Sequence, residues 1–136
     1  MAGKTFQLEI ITPSKVAFKG DVESFSAPGV MGGFQVLYNH APLLAAIATG
    51  EVKFTDVTGT EVHFATSGGF VEVNHNHVVF LSESIERKDE IDAARAEKAK
   101  TRASERLHEA GKEIDSERAK RSLARAQNRL RLVHKN

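Results

Sequence analysis

Every aromatic residue of this chain, eight Phe and Tyr38, lies before residue 84, together with all three prolines and nine of the ten glycines. No other feature limits the fold so strongly. Strands favour aromatic and β-branched side chains and need turn formers between them, whereas helices favour Ala and unbranched side chains. The N-terminal part is therefore expected to be a sheet, and the Ala-, Arg-, Glu- and Lys-rich remainder helical. The change falls between Ser82 and Lys88, which divides the 136 residues into a β-domain, 1–84, and a helical region, 85–136. That length suits one small domain with an appendage and is too short for a multidomain enzyme. Charge divides at the same place: residues 1–84 carry 4 basic and 8 acidic groups, residues 85–136 carry 15 and 10. From Arg118 onward there are 7 basic residues and no acidic one.

In the first part, Phe6, Leu8 and Ile10 alternate with Gln7, Glu9 and Ile11. Strand-length runs follow at Lys15 to Phe18, Val22 to Ala27, Phe34 to Leu37, Glu51 to Asp56, Glu61 to Thr66, Gly69 to Val73 and His77 to Leu81. Turn signals separate them, among them Thr12-Pro13-Ser14, Gly20-Asp21, Gly32-Gly33, Thr58-Gly59 and Asn74-His75-Asn76. Short strands without intervening helical periods predict an antiparallel β-sandwich or barrel filled by the Phe side chains.

The second part reads as an antiparallel two-helix hairpin. Asp89 is placed to cap the first helix and Gly111 to end it, about 21 residues and about 30 Å of rod. Asp115 or Ser116 starts the second, which runs toward His134. Its apolar positions Ala119, Leu123, Ala126, Leu130 and Val133 step by 4, 3, 4 and 3, a seam for one partner helix. The first helix answers with Ala96, Ala99, Ala103, Leu107 and Ala110. Alanine permits close approach but buries little area, so the pair should be weakly held beside the Phe-rich sheet and able to open.

Candidate chemistry is sparse. The chain lacks a nucleophile elbow, a phosphate-binding Gly-Lys-Ser/Thr loop, a His-Glu-x-x-His pair and a dinucleotide fingerprint, so no catalytic residues are assigned. Gly29-Val30-Met31-Gly32-Gly33 reads as a turn. His63, His75 and His77 invite a metal, but no carboxylate or Cys completes a set at familiar spacing, and no metal site is assigned. There is no cysteine. The longest apolar stretch, Ala41 to Ala48, is far short of the roughly 20 residues of a spanning helix, so no direct membrane insertion is expected. The basic second helix allows a nucleic-acid-binding module as an alternative. Against it stand the apolar seam and the lack of an aromatic-studded basic strand face.

Asp92 and Arg95 lie one turn apart, Arg102 two turns beyond Arg95, and Arg125 and Arg129 four residues apart on the second helix. Folding the hairpin could gather four guanidinium groups and a carboxylate, a set whose forks match phosphate oxygens bidentately. On spacing alone, a solvated, salt-bridged helix surface is the more ordinary reading.

At these residues the chain resembles the epsilon subunit family of the F-type ATP synthase, called delta in mitochondria. The resemblance is carried by Val36-Leu37-Tyr38-Asn39-His40-Ala41-Pro42-Leu43-Leu44, by Ser67-Gly68-Gly69-Phe70-Val71-Glu72-Val73 and by Ile91-Asp92-Ala93-Ala94-Arg95-Ala96. With the order of the two parts it covers essentially the whole chain. Tyr38 stands where many bacterial members have proline. The resemblance implies a noncatalytic central-stalk subunit that couples proton translocation to ATP synthesis, at the cytoplasmic face of the bacterial membrane and peripheral to it. It implies a β-sandwich bound to the gamma subunit and the c-ring, with Tyr38, Asn39 and His40 at partner contacts. It also implies a hairpin that, when extended, reaches the alpha/beta catalytic hexamer and blocks hydrolysis; from the basic charge of residues 118–136, Arg118, Arg121, Arg125, Arg129 and Arg131 are expected to pair there with acidic partner groups. By the same resemblance Glu86, Asp92, Arg95, Arg102, Arg125 and Arg129 would bind a regulatory ATP, no cofactor being required, and nucleic acid is not a partner.

Overall fold

The computed structural model describes residues 4–109 and 113–135, with side chains left undescribed at 113–115. Its chain forms two compact units, residues 1–87 and 88–136.

Among the described residues the first unit contains nine strands: β1 (Phe6–Ile11), β2 (Val16–Gly29), β3 (Gly32–Val36), β4 (Leu43–Ile47), β5 (Gly50–Asp56), β6 (Glu61–Thr66), β7 (Gly69–Asn74), β8 (His77–Ser82) and β9 (Ile85–Arg87). They run in the order β1-β8-β7-β4-β2-β5-β6-β9, with β3 on β2 and β1 also paired to β2. The long β2, in the middle of this path, also pairs with β1 at one end of it, so the sheet curls back on itself as a sandwich. Alternation decides what lies inside. Phe6, Leu8 and Ile10 of β1 are buried, as are Val22 and Phe25 of β2, Val52 and Phe54 of β5, and Val78 and Phe80 of β8. Phe25 and Phe80 meet at 6.2 Å between ring centroids, and Phe18 and Phe54 at 4.3 Å. Full burial of such side chains contributes about 1.5–3 kcal/mol each, which makes this core the main source of cohesion.

Four features depart from the sequence expectation. Gly20-Asp21 is no turn: β2 continues through it, with Gly20 opposite Leu8. A Cβ on Gly20 would sit 3.2 Å from the ring of Phe18, so glycine leaves room for that ring over the strand. The pairing of β1 with β8 is parallel, so the sandwich is not wholly antiparallel. Leu43–Ile47 forms a strand although its run of apolar residues does not alternate, and its residues pair with β7 from Leu43↔Val73 to Ile47↔Gly69. Finally, Ile85–Arg87 pairs with β6, which carries the sheet three residues past 84. Two charged residues in so short a strand leave no periodicity to read.

The glycine opening β7 is required by its surroundings. Gly69 has φ +147°, and a Cβ there would run into the carbonyl oxygen of Leu81. At the far end of the β7–β8 hairpin the expected turn is present, with His75 and Asn76 at φ +49° and +60°.

The second unit holds a short 3-10 turn at Lys88–Glu90, then α1 (Ala93–Glu109) and α2 (Glu113–His134). The expected cap at Asp89 is displaced to Asp92, whose Oδ1 accepts the Arg95 backbone N–H at 3.1 Å and whose carbonyl accepts that of Ala96 at 3.0 Å. Asp89 is instead part of the preceding turn. The expected helix stop at Gly111 and the seam residue Ala110 lie outside the described residues, and α2 begins at Glu113, ahead of Asp115 and Ser116. Three residues separate two helices that pack along each other, so they run antiparallel. Ala96 and Ala103 of α1 and Ala119 and Ala126 of α2 are buried. Their equal spacing of seven lets Ala103 face Ala119 and Ala96 face Ala126. Ala99, Leu107, Leu123 and Val133 are half-buried, while Asn128 and Leu132, which lie off the expected seam, are buried. The Lys88 ammonium donates to the carbonyl of Lys135 at 2.7 Å, tying the 3-10 turn to the end of α2, where a cation is favoured.

Candidate functional site

Two regions bear the residues singled out above, one in each unit. In the sheet unit, the loop between β3 and β4 is held by the β7–β8 turn. Asn39 donates its backbone N–H to Asn76 Oδ1 at 2.6 Å, and Asn76 Nδ2 donates to Asn39 Oδ1 at 2.9 Å. This reciprocal pair supports Asn39 in the left-handed region, at φ +63°. His40 closes the turn by donating its backbone N–H to the Leu37 carbonyl at 3.1 Å. Its Nδ1 lies 2.7 Å from the Ala41 carbonyl, an acceptor, which places the ring proton on Nδ1. Tyr38 is exposed beside them. The Tyr38-Asn39-His40 loop is thus a fixed surface feature.

The same unit presents an apolar row that the sequence did not reveal. Val30, next to the 98% exposed Met31, donates its N–H to the Ala46 carbonyl. Ala46 pairs with Phe70, Phe70 with Leu81, and Leu81 with Ile11. Paired residues point to the same side, so these side chains line one outward face, across roughly 15–20 Å at 4.8 Å per strand. Phe70 and Leu81 are each more than half exposed, and Leu44, in the next row, is 72% exposed. Glu72 and Val79 continue Leu44's row. Contiguous exposed aliphatic and aromatic side chains of this kind mark an interaction surface. The signal was present as outward-facing Leu and Phe in β4, β7 and β8, but only the strand register gathers them.

On another face of the sheet unit, His63 Nδ1 lies 2.9 Å from Glu51 and Nε2 3.5 Å from Glu61. Among the described residues no group of three or more His, Asp or Glu side chains is arranged to hold a metal ion.

In the helical unit, Asp92, Arg95 and Arg102 come from α1 and Arg125 and Arg129 from α2. In an antiparallel pair with Ala96 facing Ala126, Asp92, Arg95, Arg125 and Arg129 fall at one level, the end away from the link. Arg102 lies about 10 Å further along α1. Arg95 and Arg102 are exposed, with no side-chain partner among the described residues. Arg125 is half-buried and donates from Nη2 to Ser122 Oγ at 3.3 Å, and Arg129 is half-buried and engaged. Glu86 belongs to β9 in the sheet unit, opposite Ala65. Arg118, Arg121 and Arg131 are exposed on α2. The two packed helices thus carry four arginines and Asp92, and guanidinium groups are chemistry suited to a polyphosphate or to acidic protein surfaces. No helix among the described residues is long and apolar enough to cross a membrane.

Comparison with known proteins accounts for both units in order. Residues 5–88 match the family described as ATP synthase, Delta/Epsilon chain, beta-sandwich domain, and residues 89–133 its long alpha-helix domain. An ATP synthase epsilon chain of Syntrophomonas wolfei is 41% identical over 107 residues, covering 79% of this chain and 78% of that one. One from Nitratidesulfovibrio vulgaris is 45% identical over 104 residues, 76% and 77% of the two. The fold is shared with a chain of the Euglena gracilis mitochondrial ATP synthase, TM-score 0.87 at 18% identity over 98% of this chain and 84% of that one. A chain of the Tetrahymena thermophila mitochondrial central stalk and c-ring gives TM-score 0.71 at 15% identity, over 98% and 99%. With both domain patterns matched in succession across residues 5–133, and relatives above 40% identity over three quarters of its length, the chain belongs to the ATP synthase delta/epsilon chain family.

Proposed function

We propose that the chain is a noncatalytic rotor subunit of the central stalk of an F-type ATP synthase, peripheral to the cytoplasmic face of a bacterial membrane, coupling proton translocation to ATP synthesis. The match of both domains, in order, to the delta/epsilon chain family carries this reading. In it, the sheet unit is the rigid part that transmits force and docks the gamma subunit. The exposed row through Ala46, Phe70 and Leu81, with Leu44 beside it, supports such a docking face, and the pinned Tyr38-Asn39-His40 loop suits a contact to the c-ring.

The helical unit is the regulatory part. Its seam of Ala96, Ala103, Ala119 and Ala126 buries little area, so folded and extended arrangements are close enough in free energy for a ligand or partner to select between them. Extended, the helices reach the alpha/beta hexamer and inhibit hydrolysis, and the exposed Arg118, Arg121 and Arg131 meet acidic partner groups. ATP held by Asp92, Arg95, Arg102, Arg125 and Arg129 favours the folded pair, because it touches both helices only when they lie together.

The test is ATP hydrolysis by the assembled complex carrying full-length chain or residues 1–87. Removing the helices should raise hydrolysis with assembly intact, and equal rates would overturn the inhibitory role. Phe70→Asp should separately abolish co-purification with gamma, and its retention would move the docking face elsewhere.

A further inference from the structure

Resting on the nucleotide reading above, we propose that Ser122 is a positioning residue that pre-sets Arg125 for a polyphosphate. Ser122 lies one turn before Arg125 on α2, both are half-buried, and the Ser122 hydroxyl oxygen accepts a hydrogen bond from Arg125 Nη2 at 3.3 Å. The chemistry of that partner matters. A carboxylate at the same place would satisfy the guanidinium but also cancel its charge and repel an incoming phosphate. A hydroxyl takes one of the five N–H groups, leaves the charge whole, and frees the remaining donors for an anion.

The four arginines therefore differ in readiness. Arg95 and Arg102 are exposed and without a side-chain partner among the described residues, so they lose most of their rotamer freedom only when a ligand arrives. Arg125 has lost part of it already, and a side chain ordered in advance binds more tightly for the same contacts. In this arrangement α2 supplies the prepared part of the clamp and α1 the part that adjusts. Serine is also a mediocre residue for a helix interior, so propensity does not explain its presence at this position.

Calorimetric titration of the full chain with ATP tests the assignment, using wild type, Ser122→Ala, Ser122→Thr, Arg125→Ala and the Ser122→Ala/Arg125→Ala double variant. Alanine is the better helix former, so weaker binding by Ser122→Ala does not come from a melted helix. Ser122→Ala should weaken binding about two- to tenfold, the scale expected for ordering one long side chain. Ser122→Thr should restore it to within about twofold, since the hydroxyl returns. In the Arg125→Ala background the serine should have no effect. Equal affinities of wild type and Ser122→Ala, or the same weakening with Arg125 absent, would overturn the positioning role alone. A wild type that takes up no ATP overturns the nucleotide reading. The positioning role is then read without ligand, from NMR relaxation of the Arg125 guanidinium Nε, which should be more mobile in Ser122→Ala and unchanged if the contact is idle.

Discussion

The two units of this chain bury different things. The sheet unit closes over Phe25, Phe80, Leu8, Ile10 and a set of valines with almost no exposed surface. The helical pair closes over four alanines, reinforced by Leu130 and Leu132 toward the end of α2. Burial stabilises in proportion to apolar area, so the same hydrophobic effect yields a stiff body in one unit and a loosely joined pair in the other. On the function proposed above, stiffness suits the element that carries torque, and loose joining suits the one that changes partners.

The sharpest way to break this comparison is to truncate equivalent anchors. Phe80→Ala empties a fully enclosed site and should cost about 3–5 kcal/mol of sheet-unit stability. Leu130→Ala, in the helical unit, should cost less than Phe80→Ala, since it removes a smaller side chain from a less fully enclosed site. Urea unfolding followed by near-ultraviolet signals of the Phe-rich sheet and by helical circular dichroism separates the two. A larger loss for Leu130→Ala would reverse the ranking.

A smaller effect is expected from filling the seam. Ala103→Leu inserts three carbons where two helices touch and should cost about 1–3 kcal/mol, concentrated in the helical unit. Amide exchange of α2 should accelerate while exchange in β1 and β8 stays constant. Unchanged α2 protection would mean the alanines are not in close contact. If the helices regulate as proposed, the same variant in the assembled complex should inhibit hydrolysis more strongly, because it disfavours the folded pair.

What was legible in the sequence follows the same division. Where a strand has one buried face, as β1 does with Phe6, Leu8 and Ile10, alternation reveals both the strand and its inward side. Leu43–Ile47 lacks alternation because Leu44 faces outward as an apolar residue, so the pattern that would identify the strand is erased by the surface it presents. Gly20 misled for a related reason: glycine commonly marks turns, but here it accommodates the ring of Phe18 from the same strand. The seam positions were readable from their 3–4 spacing, and four of its alanines are buried. Burial of Asn128 and Leu132 was not, since it depends on what surrounds α2. Among the site residues, spacing places Arg125 and Arg129 on neighbouring turns, whereas nothing in the sequence marks Ser122, because a single hydroxyl three residues from an arginine has no distinctive pattern.

The smallest expected effect lies in the sheet unit, at the β5–β6 turn. There Asp56 Oδ1 accepts the Thr58 hydroxyl at 2.6 Å and the backbone N–H groups of Thr58 and Thr60 at 2.9 and 3.0 Å. These bonds, the Thr58 hydroxyl foremost, hold the Asp56 carboxyl below the usual carboxylate range, against a smaller opposing contribution from burial. A folded-state value below the unfolded one means that the turn adds stability above the unfolded carboxylate pKa, near 3.9, and loses it as pH falls through the lowered folded value. Asp56→Asn keeps an acceptor but not the charge-assisted strength of these bonds. The variant should therefore be slightly less stable than wild type at neutral pH, with the gap closing in acid, while amide exchange of α1 and α2 is identical in both. Urea midpoints at about pH 7 and about pH 3 measure this, and a gap of constant size would show that the turn is held by shape and not by the ionised carboxylate. A change in helical exchange would instead show that the two units share their stability, which would undo the comparison between them.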